Sequence, residues 1–342
     1  NRGFKVLWIY QVLMQLAINT LNFALILWVF KLTDSNFAVS GLLLAVYLPA
    51  FLFGLYAGVL VDRIDRRPLI ILLDILLAGA FFLFPFIRHS YPLILLNTFL
   101  INTLMQFFIP AEGSSIPLLV KRNGLFVANS LFTFTLYGTF MIGFTMAGPI
   151  LNNSSISPIF NLGGWLLLLA ALLSQSLPSL KTTVRRNGFK IWEIVGLETR
   201  ETFAFIRGKL PVATSIGLLA AVQGVIGMLA VLVPSYMERV LRVHATDASL
   251  FLMLPLGLGM ISGALIIGQF FHSVPRRLIV IPSVIACGIL LFGVGIAPDV
   301  ARALDATSLP ERVRHLRYFL NAPSLASTFA VGAYLLGVAT VS

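Results

Sequence analysis

Long apolar runs separated by short polar gaps organise almost the whole chain. Ten runs approach or exceed the length of about 20 residues that a helix needs to cross a bilayer. They cover 7–31, 36–61, 68–87, 92–110, 125–151, 158–178, 211–234, 248–271, 278–297 and 323–341. None alternates with period two, as the strands of a membrane barrel would, so the pattern predicts helices. Pro49, Pro149 and Pro255 fall inside runs; membrane helices tolerate this where neighbours satisfy the freed backbone groups. The first run is too long for the apolar core of a signal peptide, and no small-x-small site follows it. The expected fold class is an all-α, multi-pass membrane protein.

The longest polar connection, 181–210, follows the sixth run. Within it Trp192, Val195, Thr199, Phe203 and Ile206 recur at steps of three or four, the mark of an amphipathic helix lying at a membrane surface. The chain divides there into a six-span unit at 1–180, the connection 181–210, and a second unit at 211–342. A shift of 210 residues lays Gly58 on Gly268, Arg66 on Arg276 and Arg67 on Arg277, so that GVLVDRIDRR overlays GQFFHSVPRR. The two units read as parallel repeats.

Composition fits lipid as the solvent. Hydrophobic residues are 58% and charged residues 11% of the 342, and the mean hydropathy is +0.95. A soluble domain carries roughly a quarter charged residues. The net charge of +11 comes from cations set between apolar runs, which points to an anionic lipid leaflet rather than nucleic acid. With the N-terminus inside, inside loops hold sixteen of the 24 Lys and Arg and outside loops eight, so positive charge favours a cytoplasmic N-terminus. The stretch PERVRHLRYF (310–319) goes against this bias and is read as a short helix on the outer surface. Cys287 is the single cysteine, so no intrachain disulfide forms. The four histidines lack metal-ligand spacing, no phosphate-binding Gly-x-x-x-x-Gly-Lys-Ser/Thr loop is present, and no catalytic set stands out. No enzymatic activity, cofactor or metal is expected.

The segment GVLVDRIDRR packs Asp62, Arg63, Asp65, Arg66 and Arg67 into six positions between two apolar runs. Positive charge alone sets topology, and Arg63 needs no further role; carboxylates add little to it. Asp62 can pair with Arg66 or meet a helix N-terminus, and Gly58 one turn earlier allows close helix approach. The segment resembles the loop G-x-L-x-D-R-x-G-R-R of the major facilitator superfamily. LTDSNFAVSGLLLAVYLPAFLFGLYAGVLVDRIDRRPLIILLD (32–74) and FFIPAEGSSIPLLVKRNGLFVANSL (107–131) resemble its drug-exporter branch, which includes macrolide and enterobactin-type efflux proteins. Asp65, where the superfamily loop has glycine, and Asp74 follow that branch.

The resemblance implies the major facilitator fold, two six-helix halves in parallel repeat, with the second half truncated here at four spans and two more expected beyond Ser342. It implies a secondary active transporter that exports amphipathic small molecules by alternating access, with protons as the coupling ion. It also implies a monomer in the bacterial inner membrane. Gly58, Asp62, Arg63, Asp65, Arg66 and Arg67, with Arg276 and Arg277 of the repeat, would then form a conformational latch. Import or lysophospholipid flipping on the same fold remains an alternative, as does a non-transporting membrane scaffold or sensor.

Polar residues inside the spans give the remaining candidates. Gln11, Gln15, Asn19 and Asn22 share one face of the first span, and Thr98, Asn102 and Gln106 share a face of the fourth; Gln223 lies in the seventh. In the superfamily these spans line the central cavity, so the resemblance makes the stripes a substrate surface. Hydrogen bonding between helices explains them equally well. GFTMAGP (143–149) resembles the antiporter motif G-x-x-x-G-P with one extra residue; Gly143, Gly148 and Pro149 would steer access, or simply pack. Asp74 and Glu112 are the coupling candidates, since proton coupling usually needs a carboxylate within the membrane. Asp74 could instead pair with Arg66 and Arg67.

Overall fold

The computed structural model describes residues 2–121, 124–153, 156–178 and 191–240, with isolated positions 285 and 289. The predicted spans 248–271, 278–297 and 323–341, the pair Arg276 and Arg277, and the arginine-rich stretch 302–317 lie outside the described residues.

Each of the first seven apolar runs is a helix. Helix α1 is Arg2–Thr33, α2 Asn36–Val61, α3 Arg66–Ile87 and α4 Tyr91–Gly113. A four-residue helix α5, Ile116–Leu119, follows, then α6 Leu125–Asn153 and α7 Ser157–Ser174. The connection contains α8, Ile191–Gly208, and the seventh run is α9, Leu210–Ser235, which ends in a π-helical turn at Tyr236–Val240. Among the described residues there is no strand, and six helical segments are long and apolar enough to cross a membrane: Gly3–Thr33, Asn36–Val61, Arg66–Ile87, Tyr91–Leu119, Val127–Leu151 and Ser157–Ser174. Within the connection 181–210 the described residues form one helix, α8.

Helix boundaries follow local chemistry. Ser35 caps α2, its hydroxyl accepting from the Ala38 amide at 3.4 Å. The carboxylate of Asp65 accepts from the Arg67 amide at 3.1 Å and caps α3, satisfying one of the free amides of a helix start. Arg66 and Arg67 therefore form the first turn of α3, two residues earlier than the apolar run suggests, with the Asp65 cap setting the helix start.

The main packing partners are helices that do not follow one another in sequence. Helix α1 runs through the middle of the bundle and packs on α6 and α7; α2 packs on α4, and α3 on α7 and α4. Lipid is as apolar as a side chain, so close packing and polar contacts hold such helices together rather than burial from water. Packing is tight where aromatic rings meet: Phe84 and Phe160 stack with centroids 3.5 Å apart. Phe37, Phe51 and Phe86 are exposed on the outside of the bundle, where hydrocarbon is their favourable surrounding. Helix α8 packs on α2, and α9 touches α1 and α2.

Candidate functional site

Two turns into α3 from Arg66, a rise of about 12 Å, stands Asp74, which is fully buried. It meets two other helices. The Tyr10 hydroxyl of α1, also fully buried, donates to Asp74 Oδ1 at 3.0 Å. The Tyr10 ring packs at 5.7 Å, tilted, on Phe108 of α4. One turn on in α4 is Glu112, buried and within Coulombic reach of both Asp74 and Tyr10. Asp74 Oδ2 and Glu112 Oε1 have no hydrogen-bond partner among the described residues. Three helices thus bring two carboxyl groups and a phenol together, with spare acceptor capacity on both acids. The hydrogen-bond partner of Asp74 among the described residues is Tyr10, which neither sequence-based reading of Asp74 named.

At the same end of the bundle the charged loop is built from separate local bonds. Asp62 is the C-terminal cap of α2. It pairs with Arg66 Nη2 at 3.3 Å; the Arg66 side chain is 4% exposed, that of Asp62 62%. Arg66 Nε has no partner among the described residues. Arg67 donates through Nη2 to the carbonyl of Gln175, the last cap of α7, where a cation complements the carbonyl end of the helix. Among the described residues a Cβ at Gly58 would meet nothing within 4 Å. The loop therefore ties α2, α3 and α7 of one half together in this conformation.

The amide stripe of α1 divides in two. Gln11 and Asn19 are buried and donate to α6: Gln11 Nε2 to the Phe132 carbonyl and Asn19 Nδ2 to Thr139 Oγ1, both at 3.4 Å. Gln15 and Asn22 are half-buried. On α4, Asn102 and Gln106 are half-buried and donate to carbonyls one turn back, Thr98 at 2.9 Å and Asn102 at 3.2 Å. The Thr98 hydroxyl is buried without a partner among the described residues. Gln223 on α9 is exposed. On α6, a Cβ at Gly143 would lie 2.8 Å from the Thr20 amide of α1, so this glycine lets α6 approach α1 within the same half. Gly148 is buried and Pro149 half-buried in the same helix.

Sequence reading missed Tyr10, Trp8 and Asn97. Trp8 Nε1 donates to Thr135 Oγ1 at 2.8 Å, and Asn97 Nδ2 to the Ala80 carbonyl at 3.0 Å. The available signal was chemical: a phenol or indole inside an apolar run needs a partner for its polar atom.

The model of the major facilitator superfamily matches residues 7–340. Among solved structures, the nucleoside transporter NupG is 13% identical with a TM-score of 0.72, over 97% of this chain and 80% of that one. A bacterial homologue of the human lysosomal transporter Spinster is 16% identical with a TM-score of 0.63, over 98% and 75%. A D-xylose–proton symporter is 13% identical with a TM-score of 0.62, over 99% and 78%. At these identities the likeness is one of fold. Among curated proteins nothing matches. The helical architecture, the charged loop after α2 and the family match over nearly the whole chain agree: this chain belongs to the major facilitator superfamily.

Proposed function

We propose that the protein is a secondary active transporter that exports amphipathic small molecules, of drug or siderophore type, by alternating access with protons as the coupling ion. The observation that carries the proton is the pair of buried acids, Asp74 and Glu112, each with an unpartnered oxygen. An unpaired charge among apolar helices is costly, so intramembrane carboxyls mark ion pathways. Taking up a proton removes that charge, and releasing it requires access to water. An acid pair alternately exposed and closed can therefore link proton movement to the carrier's conformational change. A D-xylose–proton symporter shares the fold, which supports the choice of the proton as coupling ion.

The half-buried amides Gln15, Asn22, Asn102 and Gln106 offer neutral hydrogen-bonding groups suited to weakly polar substrates. The excess of Lys and Arg in loops on the N-terminal side supports a cytoplasmic N-terminus in a bacterial inner membrane. Export rests on the likeness of 32–74 and 107–131 to drug-exporter sequences. The test uses inside-out vesicles with an imposed pH gradient and a panel of lipophilic dyes and antibiotics. Uptake that stops when the gradient is collapsed, and that Asp74→Asn abolishes, supports the reading. Gradient-independent behaviour of every compound removes drug export and turns attention to import or lysophospholipid movement.

A further inference from the structure

We propose that Asp34 and Arg239 form a clasp between the two halves at the end of the bundle opposite the charged loop, closed in this structure and released when the carrier opens on that side. The proposal rests on the alternating-access reading above.

Asp34 joins α1 to α2, and Arg239 lies in the π-helical turn after α9, 205 residues away. A single guanidinium nitrogen, Nη2, reaches both Asp34 Oδ1 and the Asp34 carbonyl, each at 3.1 Å. Among the described residues Asp34 is the one non-glycine residue with positive φ, 46°. Its amide donates to the Phe30 carbonyl at 2.7 Å and closes α1. Glycine adopts this backbone region at least cost, while Asp tolerates it. The residue present is one that also supplies an anion, and both its side chain and its carbonyl meet the arginine.

The surrounding contact is closed as well. Met237 is 1% exposed within the apolar core, Ser235 is buried, and α9 packs on α1 and α2. The Asp62–Arg66 pair at the loop end lies within one half, whereas Asp34–Arg239 joins residues on either side of the connection 181–210. A contact of this kind must break for its end of the bundle to open. Both partners are largely exposed, Arg239 at 59% and Asp34 at 77%, so salt screens the pair and its contribution is small. That suits a gate, because a carrier that cycles must keep its two states close in free energy.

The experiment reads the gate directly and needs no substrate. Spin labels are placed at Phe37→Cys on α2 and Leu232→Cys on α9 in full-length protein carrying Cys287→Ser, reconstituted in liposomes. Both positions are exposed on the bundle. Asp34→Asn and Arg239→Gln are expected to raise the ratio of long to short label distances about two- to five-fold, the range of an exposed ion pair. The exchange Asp34→Arg with Arg239→Asp is expected to restore the original ratio. High salt should mimic the single variants. Identical distance distributions in all four proteins overturn the clasp, and so does a shift in the single variants that the exchange fails to reverse. Absence of proton-driven transport, with these shifts present, would reject the coupling reading and leave the clasp standing.

Discussion

The phenol of Tyr10 on α1 donates to the carboxylate of Asp74 on α3 at 3.0 Å, and both residues are wholly buried. Tyr10→Phe removes this donor and leaves a second oxygen of Asp74 without a partner. Leaving a buried polar group unsatisfied costs about 1–3 kcal/mol, so thermal unfolding in detergent should begin several degrees lower. Asp74→Asn should keep substrate exchange across the membrane but lose accumulation against a gradient, because exchange needs no proton. Retained accumulation in vesicles carrying this variant would exclude Asp74 as the coupling group.

The Asp62–Arg66 pair is lopsided, with the cation buried and the anion exposed. Removing Asp62 strands a buried guanidinium, whereas removing Arg66 returns a carboxylate to water. Asp62→Ala should therefore destabilise by about 1–3 kcal/mol, and Arg66→Met, similar in size and apolar, should cost less. Unfolding midpoints of the two variants settle the order. Asp62→Asn, which keeps an acceptor, should leave insertion intact while slowing transport sharply.

Two glycines should separate packing from motion. A Cβ at Gly143 would press on the backbone of Thr20, which has no room to give. Gly143→Ala should cost about 1–3 kcal/mol through overpacking. Among the described residues a Cβ at Gly58 meets nothing within 4 Å, so Gly58→Ala should leave stability unchanged. If transport nevertheless falls in that variant, close approach at Gly58 belongs to another state of the cycle.

Amides on one stripe of α1 should behave differently. Gln11 and Asn19 bond to α6, and Leu at either position should lower stability by about 0.6 kcal/mol, with little change in apparent substrate affinity. Gln15 and Asn22 are half-buried, and Leu there should raise KM with stability preserved. A uniform effect of all four on KM, measured beside unfolding, would contradict this division.

Much of the fold was readable because the bilayer imposes a single solution on an apolar run: each must satisfy its own backbone, so length and hydropathy alone yield helices. Runs 36–61 and 68–87 became Asn36–Val61 and Arg66–Ile87, and the three-to-four spacing in 181–210 became α8. The charged loop announced its unusual chemistry, and Asp62 and Arg66, four apart, meet across the short turn between α2 and α3. Partners distant in sequence were another matter. Asp74 was recognisable as an acid inside a span, yet Tyr10, 64 residues away, became its donor only through the way α1 meets α3. Gln11 and Gln15 are one turn apart and alike in composition, and only the position of α6 separates them. Asp34 and Arg239 are 205 residues apart and meet only because α9 carries the arginine to the end of α1. Local chemistry and the solvent determine which segments are helices, because those forces act within a few residues. The rotation of each helix about its axis, and hence which polar atoms meet, depends on side-chain packing between segments far apart in the chain, and the tertiary structure alone decided it.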